Sequence, residues 1–181
     1  MKKLLLLFLL AGLFSSCMTN NPSNDKAAKS KAGVQAFYDQ VINAHNPAMV
    51  DSFCTPDFTD HNPDQGHSGK GVDDLKAAFK DFFTSFPDIH MSVDMMVASG
   101  DTVASMITMT GTNSGMMMGA PPTNKQVSVQ GMDFIVIKDG KATDRWGYFD
   151  VMKMMQQMGM MPSPGAQAQA DTVKMMNAEK K

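Results

Sequence analysis

The sequence predicts an α+β domain in which N-terminal helices pack on one face of a strongly curved antiparallel sheet. Three observations predict it. Apolar residues recur at three- and four-residue steps as far as Phe83, the period changes to two after Pro87, and turn residues divide the alternating runs into hairpins. The chain has 181 residues, 43% of them hydrophobic, which suits one domain with a sizeable core. Lys and Arg number 16 against 18 Asp and Glu, so the formal charge is −2 and no clustered basic excess points to nucleic acid. Twenty methionines beside one tryptophan and two tyrosines describe a soft, unbranched and polarizable core.

Residues 1–16 read as an export signal: Lys2 and Lys3, an apolar run from Leu4 to Phe14, then Ser15 and Ser16. The run is shorter than the roughly 20 residues that cross a bilayer. Cys17, directly after two small residues, resembles the lipobox of bacterial lipoproteins, with Phe14 where that motif usually has Leu. The resemblance implies that Cys17 carries lipid and holds the exported chain on a membrane of the bacterial cell envelope. The alternatives are ordinary secretory cleavage near Ser16 and an uncleaved anchor. Cys17 and Cys54 are the only cysteines, so a lipid on the first leaves no internal disulfide. Phe53 and Thr55 give Cys54 no neighbouring cation, and it reads as a buried, inert thiol. Asn, Ser, Lys and Pro dominate from Met18 to about Ser30, so residues 17–30 read as a lipidated tether. Residues 31–160 are the domain. Pro162, Ser163, Pro164 and Gly165 open a flexible tail over 161–181, where Val173, Met175 and Met176 are the apolar anchors of a weak helix at most.

Val34, Phe37, Tyr38, Val41 and Ile42 mark one face of a helix from about Ser30 to Ala44. Asn46-Pro47 stops it and starts a short helix through Val50 and Phe53. Val72, Leu75, Phe79, Phe82 and Phe83 mark a third, from near Gly71 to before Pro87. Val93, Met95 and Val97, then Val103, Ser105, Ile107 and Met109, alternate across the turn Ser99-Gly100-Asp101 and predict a hairpin. After a Gly-, Met- and Pro-rich loop from Gly111 to Asn124, the residues Val127, Val129, Met132, Phe134 and Val136 and the turn Lys138-Asp139-Gly140-Lys141 open a second hairpin. Its return strand is Ala142 to Asp150, and a short Met-rich helix follows. A sheet bent around a helix leaves a concave pocket lined by alternate residues.

Several short motifs now align with a known pattern. Gly69-Lys70-Gly71, Phe86-Pro87-Asp88, Gly100-Asp101-Thr102-Val103, Gly111-Thr112 with Gly115, Gly119-Ala120-Pro121-Pro122-Thr123-Asn124-Lys125, Asp139-Gly140-Lys141, Trp146, Asp150 and Gln157-Met158-Gly159 stand in one order and spacing. From about Gly33 to Gly159 the chain thereby resembles the SnoaL-like polyketide cyclases, or ester cyclases, of the nuclear transport factor 2-like superfamily. The resemblance implies a cone-shaped α+β fold, commonly dimeric, with an apolar pocket for a small molecule and no metal or organic cofactor. It also implies ring closure by intramolecular aldol condensation, with a desolvated acidic side chain moving the proton.

The last strand departs from that pattern. Where the family has His, Trp, Asp, two apolar residues and Asp, this chain reads Arg145, Trp146, Gly147, Tyr148, Phe149, Asp150, and the family's His after Gly-Thr is Asn113. Gly147 moves no proton and Arg145 stays charged. A relocated acid or base is sought at Asp60, at His61 as a polar group of the pocket rim, or at Asp150, which stands where an Asp more often caps a helix. Asp133 and Asp144 read as solvated strand carboxylates. Strand alternation puts Arg145, Gly147 and Phe149 on one face, which the resemblance turns to the pocket, and Asp144, Trp146 and Tyr148 on the other. There Gly147 enlarges the cavity, and Arg145 either binds a ligand's carbonyl or carboxylate or pairs with a nearby Asp. The candidate ligand contacts are Arg145 and Phe149, with Trp146 of the same strand, Asn113, and Met117 in a loop expected over the pocket mouth. Asp60, His61 and His67 lack a further histidine at ligand spacing, so no metal site is assigned. His45 and His90 read as surface residues. The methionines read as adaptable packing, against a Cu(I) site.

The whole describes a membrane-anchored domain that binds a small apolar molecule bearing a carbonyl or carboxylate. Two alternatives remain: a cofactor-free cyclase or isomerase with a relocated acid, and a non-catalytic module whose open sheet face dimerises or docks another envelope protein.

Overall fold

A computed structural model describes residues 22–162. The signal segment, Cys17 and residues 163–181 lie outside them. Helix α1 spans Pro22–Phe37 and continues as a π-helical segment, Tyr38–Asn43. A 3-10 turn at Pro47–Met49 leads into α2 (Val50–Phe53), strand β1 (Cys54–Asp60) and helix α3 (Gly71–Ser85). Strands β2 (His90–Ser99), β3 (Thr102–Thr112), β4 (Gln126–Lys138) and β5 (Lys141–Phe149) follow, and α4 (Val151–Met158) ends the domain. The five strands form one sheet in the order β1-β5-β4-β3-β2. Among the described residues no helix is long and apolar enough to cross a membrane.

Four features differ from the expectation. Helix α1 starts at Pro22, inside the stretch read as a tether. Its composition is polar, but proline fits a first helical turn, Asp25 complements the dipole, and alanine and lysine are good helix formers. Strand β1 was not expected. Pro56 and its flanking polar residues conceal a pattern in which Cys54, Phe58 and Asp60 are buried, and proline is tolerated because β1 is a sheet edge. It pairs with β5 in parallel, so the sheet is antiparallel except along this edge. In β2 the register shifts between Val93 and Met95, a bulge that bends the strand and turns Met95 and Val97 outward, 60% and 58% exposed. In β4 the pairing with β3 runs unbroken from Gln126 to Val136, so Gly131, Asp133, Ile135 and Ile137 continue the inward face of Val127 and Val129. Met132 and Phe134, named with Val127 and Val129 as the apolar residues of this strand, are therefore on the opposite, outer face.

The core forms between the helices and the concave face of the sheet. Val34, Tyr38, Val41 and Ile42 pack there with Phe86, Ile89, Val103, Ile107, Val129 and Ile135. In the π-helical segment the Ala44 amide bonds Asp39 O, a five-residue step, and this widened turn buries Tyr38, Val41 and Ile42 together. The methionines divide between roles: Met91, Met109, Met154 and Met158 are buried, whereas Met116, Met118 and Met152 are exposed.

Candidate functional site

Arg145 and Gly147 project from the concave face of β5. Across β4, Gly147 is paired with Asp133 and Arg145 with Ile135, and on the other flank Arg145 is paired with Asp60 of β1. The Arg145 side chain folds back along its own strand. An ideal Cβ at Gly147 would lie 2.1 Å from Arg145 Nη2, so the glycine leaves the space that the guanidinium occupies and does not enlarge the cavity. Nε and Nη2 reach Asp133 Oδ1 at 2.8 and 2.7 Å, and Nη1 reaches Asp60 Oδ2 at 2.6 Å. Tyr38 of the π-helical segment donates to Asp133 Oδ2 at 2.5 Å, and its oxygen lies 3.1 Å from Ser105 Oγ on β3. The backbone amide of Asn62 donates to Asp60 Oδ1 at 2.9 Å.

This cluster is buried. Asp133 is 3% and Asp60 8% exposed, whereas the Arg145 side chain keeps 24%. Burial opposes the guanidinium's charge, but Asp133 and Asp60 outweigh it and hold Arg145 above its ordinary value. Burial, reinforced by the Asp133 charge and hydrogen bond, raises the Tyr38 phenol and keeps it a donor. In ionised form the cluster has two negative charges against one positive.

The cluster closes the buried end of a cavity of about 540 Å³. Its walls are apolar, with Val34, Phe37, Phe58, Leu75, Phe79 and Ile135 among them, and Cys54 faces it beside Phe53. Burial pushes the Cys54 thiol up to about 12. The exposed rim is made by Asp25, Lys26 and Lys29 of α1 with Asp139 and Gly140 of the β4–β5 turn. The stretch read as a tether thus supplies one side of the opening.

Of the expected site residues, Arg145 lines this cavity and Asp60 stands directly behind it on Arg145. The others lie elsewhere. His61 turns to the convex side, where Nε2 lies 2.9 Å from Asp144 Oδ1 and its ring stacks on Trp146 at 4.1 Å. That hydrogen bond, helped by one from Thr143, holds the Asp144 carboxyl below its ordinary value, so Asp144 is paired, not free in solvent. Trp146 is accordingly on the face opposite the cavity. Asp150 caps α4, accepting from the Lys153 amide at 2.9 Å. Phe149 covers Gly131, where an ideal Cβ would be 2.6 Å from its ring, outside the cavity lining.

Asn113 is fully buried and ties its own loop, donating to Gly115 O and accepting from the Thr123 amide. Met117 belongs to that loop. It packs on the end of α3, where Ser85 donates to Met116 O and the Ser114 amide to Ser85 O, and does not cover the cavity mouth. His67 lies between Asp74 and Asp81 of α3, so Asp60, His61 and His67 face three different partners. Among the described residues no group of three or more His, Cys, Asp or Glu is placed to hold a metal.

Sequence reasoning missed Tyr38 and Asp133 as site residues. The signal for Asp133 was the period-two run through Val127, Val129, Gly131, Asp133, Ile135 and Ile137.

A helix-lined, curved sheet around an apolar cavity with a polar end defines an α+β fold with a pocket of the size that small molecules fill. The SnoaL-like polyketide cyclase model matches residues 32–158, and the chain belongs to that family. Among solved structures, TsrD from Streptomyces laurentii matches with a TM-score of 0.67 and 23% identity, over 74% of this chain and 97% of that one. IdmH from Streptomyces antibioticus gives 0.64 and 23%, over 72% and 98%. A SnoaL-like polyketide cyclase from Agrobacterium tumefaciens gives 0.61 and 15%, over 71% and 97%. These likenesses establish the shared fold. No curated protein matches the sequence.

Proposed function

We propose that this protein binds a small, largely apolar molecule bearing an uncharged carbonyl, and that a lipid on Cys17 holds it on a membrane of the bacterial cell envelope. One observation carries the ligand chemistry: the only guanidinium at the cavity's buried end is already shared by two carboxylates. A ligand carboxylate would add a third negative charge there. A neutral carbonyl asks only for a donor, and Arg145 has five N–H groups of which three point at Asp133 and Asp60. The anchoring rests on the sequence of Lys2, Lys3, the apolar run and Cys17 after Ser15-Ser16.

Turnover by the cyclases' route does not belong to this reading. The position matching the family's Asp is Gly147, and Arg145 occupies its space. A second reading, a cyclase or isomerase, is favoured by the placement of Asp133, which lies across from Gly147 on the cavity face and would take a proton from carbon next to the ligand carbonyl. Against it, Asp133 Oδ1 already accepts two N–H groups and Oδ2 the Tyr38 hydroxyl. Calorimetric titration with a medium-chain methyl ketone and the carboxylic acid of equal length tests the proposal. Binding of the ketone about tenfold tighter or more supports it, and preference for the acid refutes it. Ketone-dependent deuterium exchange lost in Asp133→Asn would select the enzyme reading.

The convex face supports association with a second copy. Met95, Met106, Met132 and Tyr148 align across four strands, and Val97, Ala104, Phe134 and Trp146 form the adjacent row. Met95, Val97, Met132, Phe134 and Tyr148 are between 42% and 60% exposed, a contiguous apolar patch of the kind that marks an interaction site. Sedimentation of the wild type and of Met132→Asp tests this. A wild-type dimer split by the substitution supports it, and a wild-type monomer refutes it.

A further inference from the structure

We propose that the cavity opens toward the membrane and takes its ligand from the lipid phase, as an amphiphile that enters carbonyl first and leaves its apolar end at the rim. This rests on the two readings above, an apolar carbonyl ligand and an anchor at Cys17. What is new is where the rim lies relative to that anchor.

Pro22, the first described residue of α1, stands five positions after Cys17 in the sequence, and the helix supplies Asp25, Lys26 and Lys29 to the rim. Five residues reach at most about 18 Å, even fully extended. From Pro22 to Lys29 the helix rises about 10 Å. Asp25 and Lys26 therefore stay within about 25 Å of the lipidated residue, and Lys29 within about 30 Å. A tether leaving from the far side of the cone, or one many residues longer, would impose no such closeness. The short connection holds the domain by its open end.

The polarity of the lining agrees with that orientation. At the rim Lys26 is paired with Asp101 and Lys29 stands with Asp25 and Asp139, so the rim carries no positive excess and the orientation rests on the reach of the anchor and on the lining. Inside the cavity the order is reversed from that expected for a ligand arriving from water: the donor group is at the buried end and apolar wall extends from there to the rim. A molecule whose carbonyl meets Arg145 thus has its apolar remainder directed outward, and an outward apolar end is stable in lipid and unstable in water.

Gly33 supplies the means of testing this. It faces the cavity from α1, and nothing lies within 4 Å of the Cβ it lacks, so a large side chain there fills the cavity without displacing the backbone. The full lipidated chain is placed in phosphatidylcholine vesicles with a minority of phosphatidylglycerol and a pyrene-labelled fatty-acid methyl ester. Loss of pyrene excimer emission reads withdrawal of the probe. Two variants accompany the wild type: Gly33→Trp, checked for folding by its melting curve, and a chain with eight Glu-Ala-Ala-Ala-Lys repeats inserted after Met18, a semi-rigid spacer of roughly 60 Å.

The expected result is withdrawal by the wild type, none by Gly33→Trp, and a rate about tenfold lower with the spacer. Equal rates with and without the spacer overturn the membrane-facing rim while leaving the cavity as a binding site. Equal withdrawal by Gly33→Trp overturns the cavity itself as the ligand site. A wild type that leaves the probe in the bilayer yet binds a soluble short-chain methyl ketone overturns the lipid source alone, and a chain that does not float with the vesicles overturns the anchor and with it the proposal.

Discussion

Replacing Arg145 by Met keeps the apolar stem of the side chain and removes the guanidinium from between Asp60 and Asp133. Both carboxylates are then left buried, 8% and 3% exposed, with no cation in contact. Breaking a buried pair by removing one partner costs about 3–5 kcal/mol. Because 24% of the Arg145 side chain is exposed, solvent already screens part of the interaction, and a loss of about 2–4 kcal/mol is expected. For a domain of this size that corresponds to a melting temperature lower by about 8–15 °C. Urea unfolding followed through Trp146, the single tryptophan, measures the loss. The double variant Arg145→Met/Asp133→Asn should recover part of the loss. Wild-type stability in the single variant, or no recovery in the double variant, refutes the argument that Arg145 is held by these two carboxylates.

Gly33→Ala removes backbone freedom from the interior of α1 with open space for the methyl group, and chemical denaturation should show a gain of about 0.5–1 kcal/mol. Asp88 accepts from the Thr112 amide at 2.6 Å and from its hydroxyl at 2.7 Å, which hold its carboxyl below the ordinary value. Its contribution is therefore present above the ordinary carboxylate range and lost as pH falls through the lowered value; Asp88→Asn should flatten the acid limb of the stability profile, and an unchanged limb counts against the assignment. In a chain lacking Cys17, the Cys54 thiol should resist a disulfide reagent at neutral pH until the protein unfolds, because burial raises it to about 12. Labelling of the native protein at the rate of a free thiol would contradict that placement.

The helical part of the fold was legible because its stripes are long. Val34, Tyr38, Val41 and Ile42 keep one face through two turns and are buried together. The strands were legible as strands but not in phase. In β4, Gly131 has no side chain to mark a face, so alternation can be resumed on either side of it, and choosing Met132 and Phe134 sends Asp133 to solvent. Continuous pairing with β3 decides the matter, and no local pattern encodes it. In β2 the bulge near Asp94 has the opposite effect, breaking an alternation that the sequence continues. Tyr38 was legible as core and illegible as site, since its partner Asp133 is 95 residues away. Arg145 was legible on both counts as far as its face, while the choice between ligand and partner depended on β1, a strand concealed by Pro56.

The two departures in the last strand are one structural change. With a side chain at position 147, the guanidinium of Arg145 could not lie along β5, because Nη2 sits where that side chain would begin. With glycine there, arginine reaches across to Asp133 and sideways to Asp60, and position 147 becomes the bed of a charge cluster. Cation and carboxylates are thus fixed together at the buried end of the cavity, with Tyr38 donating to Asp133 and itself in contact with Ser105. Such a cluster is stiff, because Arg145, Asp133, Asp60 and Tyr38 are each held by two partners. A lone desolvated acid waits for a proton to move; a satisfied cluster with spare N–H groups waits for an acceptor to arrive. The proposed recognition of a neutral carbonyl rests on this one arrangement of Arg145 and Gly147.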